Sequence, residues 1–371
     1  MSAPHDMPPG FRTLIGSQRM EDPVQDEDGA PAITVVLPVR NEAAHIGDVL
    51  ADLRAQDVDA AEVEILVVDG RSTDETRERV RAIAAEDPRV RLLDNPVQLS
   101  SGARAVGAAA ARGRYVAYVD GHCRIPSRTL LSDMLALFES SGADCLARPQ
   151  PLVAGDGGVL ARAIAAARHS PFGHSTRSEI FGATEGPVSP VSSGAMYRRS
   201  VFEQVGNFDT AFDACEDVEF NYRVEAAGLQ SWSSPRLAVA YEPRGSYRGL
   251  WKQMLRYGLG RARLHSKHPA AFSVESLIPA GFVLGLPVLA AAPWLGFPIA
   301  WIPLGLYGLY VLLSLLFAAR ATSTAGWPLL PLIACAFPVL HAGLGCGYIR
   351  GRLGRMPRSP SEAPTAEEER V

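Results

Sequence analysis

Val63-Glu64-Ile65-Leu66-Val67-Val68-Asp69-Gly70-Arg71-Ser72-Thr73-Asp74 is the stretch that decides the fold. Its first six residues form a β-branched, apolar run of the length buried in a parallel sheet. The run stops on an aspartate and a glycine. Ser72, Thr73 and Asp74 can each cap a helix, and a helical stretch follows from about Asp74 to Ala85. Strand, acidic turn and helix make the repeating unit of a doubly wound α/β sheet, whose ligands sit at the carboxyl ends of the strands.

The same unit recurs on either side. Upstream, Ala32-Ile33-Thr34-Val35-Val36-Leu37-Pro38 reads as a buried strand, and Asn41-Glu42 opens a helical stretch to Arg54. Downstream, Val90 to Leu93 makes a third strand, the Ala-rich Ser101 to Arg112 a helix, and Tyr115 to Val119 a fourth strand. That strand runs into Asp120-Gly121-His122, so Asp69 and Asp120 both fall at strand ends.

Each acidic cluster supports two readings. Around Asp69, Gly70 relaxes the backbone and a hydroxyl caps the next helix, which is ordinary turn chemistry. A strand-end carboxylate also accepts from a base N–H or a ribose hydroxyl. Asp120-Gly121-His122 is either an Asp-Gly turn beside an incidental histidine or a pair of metal ligands. Carboxylate with imidazole suits manganese or magnesium, the imidazole favouring manganese, and such an ion neutralises a departing diphosphate. Glu216-Asp217 precedes the helical period of Val218 to Arg223. Acids in a first turn complement the helix dipole, and one of them can also take a proton from an attacking hydroxyl. Gln253 shares a helical face with Arg256 and Tyr257 by spacing, in a stretch that also reads as an amphipathic interfacial helix.

At 371 residues the chain holds one sizeable domain and an extension. A net charge of −4 argues against a nucleic-acid-coating protein. The five cysteines form no CxxC pair and no zinc spacing, which fits a reduced, cytoplasmic face. No GxGxxG follows the first strand, so a dinucleotide-dependent dehydrogenase is a poor reading.

The carboxyl-terminal third is a membrane anchor. No charged residue lies between Glu275 and Arg320, nor from Ala321 to Ile349. At ~20 apolar residues per span, these stretches hold two spans and one span. Pro279, Pro287, Pro293, Pro298 and Pro303 would break soluble helices but are tolerated as kinks in a membrane. Arg244, Arg248, Lys252, Arg256, Arg261, Arg263 and Lys267 precede the first span and suit a cytoplasmic surface with anionic headgroups. Three spans would leave the tail outside, whereas Arg350, Arg352, Arg355 and Arg358 argue for a tail inside. Either one apolar segment is re-entrant or interfacial, or the rule fails here. The expected organisation is a disordered lead (1–30), a catalytic domain (31–245), a basic interfacial segment (246–275), a membrane region of two to three spans (276–349) and a disordered tail (350–371). The stretch from Pro149 to Pro190 reads as a mobile acceptor loop. The lead lacks the apolar core of a secretory signal, and no span is expected ahead of the catalytic domain.

Taken in order, these residues resemble glycosyltransferase family 2, whose catalytic domain has the nucleotide-sugar-binding, Rossmann-like GT-A fold. The resemblance covers about Ile33 to Arg263. It rests on Val-Val-Leu-Pro-Val-Arg-Asn-Glu, on Val-Val-Asp-Gly-x-Ser-x-Asp, on Asp120, and on Gly206-Asn207-Phe208-Asp209 followed by Glu216-Asp217. Asp120 to His122, Glu216 to Arg223 and Arg256 to Arg261 are most similar to the succinoglycan-type exopolysaccharide glucosyltransferases. The resemblance implies that Pro38, Val39 and Glu42 line the base and ribose pocket and that Asp69 bonds the base. It sets Arg104 near the diphosphate and gives Asp120 the metal. Asp217 becomes the general base of an inverting displacement, with Glu216 beside it. Gln253, Arg256 and Tyr257 resemble a Gln-x-x-Arg-Trp element that binds acceptor or diphosphate. His122 stands in place of a second aspartate, Tyr257 in place of tryptophan, and Ala105 where many relatives carry asparagine.

The expectation is an α/β, GT-A enzyme followed by transmembrane helices, with its catalytic domain on the cytoplasmic face of the cell membrane. It would use a divalent metal (Mn2+ or Mg2+) to move sugar from a nucleotide diphosphate sugar, expected to be UDP-linked. The acceptor would be lipid-linked (polyprenyl diphosphate) or a glycan. The rivals are a polyprenyl-phosphate sugar transferase and a non-catalytic nucleotide-sugar-binding subunit.

Overall fold

A computed structural model of the chain describes residues 29–354, apart from 154–157, 176–177, 183, 295 and 297. Nearly all of the expected disordered lead and most of the expected tail, with Arg355 and Arg358, lie outside the described residues.

Four strands, β1 (Ile33–Val39), β2 (Val63–Asp69), β3 (Val90–Asp94) and β4 (Tyr115–Tyr118), run parallel in the order β3-β2-β1-β4. Helices α1 (Ile46–Arg54), α2 (Thr76–Glu86) and α3 (Ser100–Ala110) connect them. β2 is buried along its whole length, because both faces of the sheet are covered. Ile65 and Val67 point into one core with Val49, Leu50 and Val80, while Leu66 and Val68 point into the other with Ala103 and Tyr118.

The chain steps outward from β1 to β3 and then crosses back to β4, so the strand order reverses between β1 and β4. Such a reversal leaves a crevice at the strand ends. Pro38 sits there without cost, since β4 pairs with β1 only from Ile33 to Val36.

The second half of the sheet departs from the doubly wound expectation. β5 (Cys145–Ala147), β6 (Gly186–Val188), β7 (Gly194–Arg198) and β8 (Ser231–Ser233) extend it in the order β4-β7-β5-β8-β6. β7 is antiparallel to both β4 and β5, and β6 is antiparallel to β8. Helices α4 (Leu130–Ser141), α5 (Gly158–His169), α6 (Pro190–Ser193), α7 (Arg199–Val205) and α8 (Glu216–Ala226) complete this part. The stretch read as an acceptor loop therefore contains a helix. Ala163, Ile164 and Ala167 of α5 are buried in an apolar cluster with residues of the carboxyl-terminal helices.

Those helices are α9 (Tyr247–Lys267), α10 (Ile278–Ala291), α11 (Trp301–Ala325) and α12 (Leu330–Leu353). Val274–Trp294, Trp301–Ala325 and Trp327–Leu353 are each long and apolar enough to cross a membrane. Of the five prolines expected as kinks, only Pro287 lies inside a helix away from its ends; α12 adds Pro338. The third helix differs from the other two in its packing. α12 lies parallel to α9 along nearly all of its length. Tyr247 donates to the Leu332 carbonyl at one end (2.7 Å), and Arg352 donates to Ser266 at the other (2.8 Å). Glycines allow this approach. A Cβ at Gly258 would overlap the Leu344 carbonyl oxygen, and one at Gly347 would overlap that of Leu255.

Candidate active site

The loops after β1 and β2 are laced together. The Asn41 amide donates to Ser72 Oγ (2.8 Å), the Thr73 amide to Asn41 Oδ1 (2.8 Å), and the Glu42 amide to Thr76 Oγ1 (2.8 Å). Asn41 and Arg71 take φ of 57° and 56° to do so, in the left-handed region that non-glycine residues seldom adopt. This lacing is why α1 begins at Ile46 and not at Asn41. Asp69, fully buried, accepts from the Ser72 amide (3.1 Å), Ser72 Oγ (2.5 Å) and Arg77 (2.6 Å). The turn reading of its motif therefore holds in detail. A carboxylate offers about four acceptor sites, so roughly one remains for another donor. Pro38 and Val39 pair with Val68 and Asp69, beside this turn.

Across the crevice, Arg104 of α3 joins two of the expected acids. Its Nη2 lies 3.1 Å from Asp120 Oδ1 and its Nε 3.3 Å from Glu216 Oε1. The guanidinium also lies over the Tyr118 ring, 5.2 Å from its centroid. Burial lowers the arginine's pKa, but the charges of Asp120, Glu216 and Asp217 outweigh it and the net shift is upward. Burial raises the Asp120 carboxyl, yet Arg104, then Arg148 and His122, outweigh it and hold the group below its ordinary value. Glu216 goes the other way: burial and the Asp217 charge push it up, against Arg104.

His122 is held by Glu42, with Nδ1 3.1 Å from Oε1, and its ring meets Tyr241 edge-on at 5.2 Å. If Nδ1 carries the proton for Glu42, Nε2 is left as an acceptor, and Nε2 is buried without a partner among the described residues. Burial lowers the imidazole pKa, but the Glu42 bond and the Asp120 charge outweigh it. The surroundings thus favour positive charge at this position, whether proton or cation. Gly121 permits the close packing, since a Cβ there would overlap Val39 Cγ1. Asp120 and the free Nε2 fit a divalent ion as a partial ligand set. No group of three or more His, Cys, Asp or Glu suited to a metal gathers among the described residues, so the remaining ligands would come from substrate oxygens or water.

Glu216 and Asp217 open α8, where the helix dipole favours negative charge. Cys215 precedes them with φ of 63°. Glu216 is buried on Arg104, whereas Asp217 is half-buried and accepts from the Val218 amide (2.8 Å). Helix α9 braces the turn before them. Arg256 binds Asp213 through Nε (3.0 Å) and Nη2 (3.1 Å), and a Cβ on Gly260 would overlap the Ala214 carbonyl. Arg256 is thereby engaged with protein. Gln253 and Tyr257 meet instead: Gln253 Nε2 donates to the Tyr257 hydroxyl (3.3 Å) and, at 3.5 Å, to that of Tyr241.

Three residues of this region escaped the sequence reading. Arg148, immediately after β5, is 3 % exposed and carries no ion pair with a described residue, and Arg168 lies in the last turn of α5. Tyr241 lies between His122 and Gln253. Arg148 is a charged residue directly at a strand end, as Asp69 is, but the three residues of β5 are too few to mark that end in the sequence.

Comparison with known proteins gives the following. The model of the family described as Glycosyl transferase family 2 matches residues 34–206. The succinoglycan biosynthesis protein ExoA of Rhizobium meliloti is 31 % identical, over 88 % of this chain and 96 % of its own. A dolichyl N-acetyl-alpha-D-glucosaminyl phosphate 3-beta-D-2,3-diacetamido-2,3-dideoxy-beta-D-glucuronosyltransferase of Methanococcus voltae is 25 % identical, over 68 % of this chain and 79 % of its own. Among solved structures, the mannosyltransferase PcManGT of Pyrobaculum calidifontis, in complex with GDP-Man and Mn2+, superposes with a TM-score of 0.53. That match covers 87 % of each chain at 19 % identity, a likeness of fold.

Proposed function

The chain belongs to glycosyltransferase family 2, a glycosyltransferase of GT-A fold, and from that premise we propose that it is an inverting, membrane-anchored enzyme. It transfers one sugar from a nucleotide diphosphate sugar, UDP-linked in our reading, to a lipid-linked or polysaccharide acceptor in exopolysaccharide or cell-envelope glycan synthesis. The observation that carries this is the Arg104 bridge between Asp120 and Glu216 at the strand-order reversal, with helix α9 against the same turn. The names of the relatives support the acceptor class: one serves succinoglycan synthesis and another acts on a dolichyl phosphate-linked sugar.

The chemistry follows from the residues. Pro38, Val39, Glu42 and Asp69 flank the β1–β2 side of the crevice, where base and ribose bind. Asp120 and His122 would hold a divalent ion, which when bound would supply Lewis-acid neutralisation of the leaving diphosphate. Arg104, already desolvated, presents fixed positive charge to the same group. Asp217 accepts the proton of the acceptor hydroxyl as its oxygen bonds the anomeric carbon. The bond to the diphosphate breaks on the opposite face, and the nucleoside diphosphate leaves with the electron pair. Glu216, committed to Arg104, positions that cation.

The packing supports a two-span anchor. Helix α9 carries Arg248, Lys252, Arg256, Arg261, Arg263 and Lys267 and cannot lie across hydrocarbon, so it lies in the interface. Helix α12 runs beside it. At its first turns it meets α5, and at its end it meets Ala262 and Ser266 of α9. Both ends therefore stay on the catalytic side, while α10 and α11 cross as a hairpin. Arg350 and Arg352 then lie on the same face as the catalytic domain, in accord with the distribution of basic residues inside. In this reading three apolar segments and an arginine-bearing end on the catalytic side are compatible.

The test is release of nucleoside diphosphate by detergent-solubilised protein from a panel of UDP- and GDP-sugars, with membrane lipid extract present. Release with one donor and an acid-stable lipid product supports the proposal. A product labile to mild acid would mean a polyprenyl-phosphate sugar transferase. Nucleotide-sugar binding without release from any donor would mean a non-catalytic subunit.

A further inference from the structure

Burying a guanidinium without a counter-ion costs several kcal/mol, so a structure that does so invites an anion. Nε and Nη1 of the buried Arg148, and Nη1 of Arg168, which is partly exposed and lies over the Phe181 ring, have no hydrogen-bond partner among the described residues, and neither side chain is ion-paired there. Gln253 Oε1 is a fourth unmet buried atom. Arg148 follows β5 where Pro149 accepts from the Val239 amide (3.0 Å), and Tyr241 bonds back to the Pro151 carbonyl (3.1 Å). This pairing sets Arg148 beside the segment that carries Tyr241. The Tyr241 ring meets His122, and its hydroxyl accepts from Gln253, which also reaches Tyr257. The line of polar groups thus runs from His122 through Tyr241 and Gln253 to Tyr257.

It leads toward the membrane helices. Arg168 is in the last turn of α5, whose Ala163, Ile164 and Ala167 pack with Leu250, Met254, Ala318 and Ile333. Four residues on, Phe172 stacks on Phe317, and its carbonyl accepts from His341 of α12 (2.9 Å). An anion reaching Arg168 therefore lies between the catalytic corner and the lipid-facing helices.

Resting on the function proposed above, we propose that Arg148 and Arg168, with Gln253, Tyr241 and Tyr257, form a subsite for the phosphate or diphosphate of the acceptor. The subsite is separate from the donor's pocket by Asp69. The two arginines take the charge of a phosphate ester as it leaves water, and Gln253 with the tyrosines supplies neutral hydrogen bonds. Positioned there, the acceptor's sugar hydroxyl faces the catalytic corner and Asp217 while its lipid tail runs along α9 and α12.

The test compares wild-type full-length protein with Arg148→Gln and Arg168→Gln in detergent. Inorganic pyrophosphate and geranylgeranyl diphosphate are the probes, and binding of the donor's nucleoside diphosphate is measured in parallel. The expected result is a 10- to 100-fold weaker affinity for both probes, about the magnitude of two lost charge-assisted bonds, with nucleotide affinity retained. Retained nucleotide binding also reports that the variants fold. Unchanged probe affinity would overturn the proposal. Equal losses of probe and nucleotide affinity would overturn it too, by assigning the arginines to the donor's diphosphate. Geranylgeranyl diphosphate binding that is lost while pyrophosphate binding is absent in all proteins locates the phosphate source in the lipid. Because binding is read without turnover, a failure of transfer in the donor panel leaves this test independent.

Discussion

Arg104 Nη2 lies 3.1 Å from Asp120 Oδ1, so a helix on one face of the sheet is tied to the end of the fourth strand. The same guanidinium reaches Glu216 on α8. Removing it leaves the buried Glu216 and the partly buried Asp120 without their shared counter-ion. Arg104→Ala is expected to cost ~3–5 kcal/mol of stability and at least about 100-fold in kcat. Arg104→Lys, which keeps charge but not the fork, should recover stability better than turnover. Denaturation in detergent, read beside kcat, checks both.

The Glu42–His122 pair predicts a graded metal effect. A carboxylate behind a ligating histidine typically contributes 10- to 100-fold to metal affinity. Glu42→Gln should therefore raise the metal concentration giving half-maximal activity by about that factor, while saturating metal restores most of kcat. His122→Ala should raise it further. Titration of activity with manganese and with magnesium measures this, and an unchanged midpoint in both variants contradicts the ligand assignment.

Glu219 gives a pH prediction. Fully buried on α8, it accepts from Arg223 (3.0 and 2.9 Å), Lys267 (3.0 Å) and His268 (2.9 Å), and so fastens α8 to the end of α9. Burial raises its pKa, but these donors outweigh it and the net value lies below the ordinary 4.5. The unfolded chain takes up this proton at higher pH than the folded one does. Its stabilisation is thus complete above pH 4.5 and fades as pH falls through the folded value. Glu219→Gln should be less stable than wild type by ~3 kcal/mol at pH 7, and the gap should narrow below about pH 4. A gap independent of pH contradicts this.

Two spans and three spans are separable by labelling. A cysteine replacing Leu353, in a background lacking the other thiols, should be labelled by an impermeant maleimide only in inverted membranes, together with a cysteine on the catalytic domain. Labelling from the outside would mean that α12 crosses.

How much was legible in the sequence depends on how local each signal is. β1 to β4 are four to seven residues long, and the burial of β1, β2 and β4 on both faces left readable apolar runs that fixed Asp69 and Asp120 at strand ends. β5, β6 and β8 have three residues each, too few to show a period, so the antiparallel half and the strand-end position of Arg148 were hidden. Helix α5 looked like a loop because its alanines are unremarkable until Leu250 and Ile333 are laid against them. The acids and Arg104 could be named one by one, but that Arg104 holds Asp120 and Glu216 together is a property of three segments meeting. Asn41 shows the same limit. Its residue type suited a helix start, while its actual role is to lace one loop to the next.

The most direct test of the central claim is metal-dependent nucleoside diphosphate release by wild type and Asp217→Asn, with nucleotide-sugar affinity measured on both. A base within reach of the acceptor contributes roughly 100- to 10,000-fold. The expected result is a loss of that size in the variant with donor affinity retained, and the same release abolished in wild type by chelation. Equal turnover in the two proteins would contradict the account, because the proton of the acceptor would then have gone elsewhere.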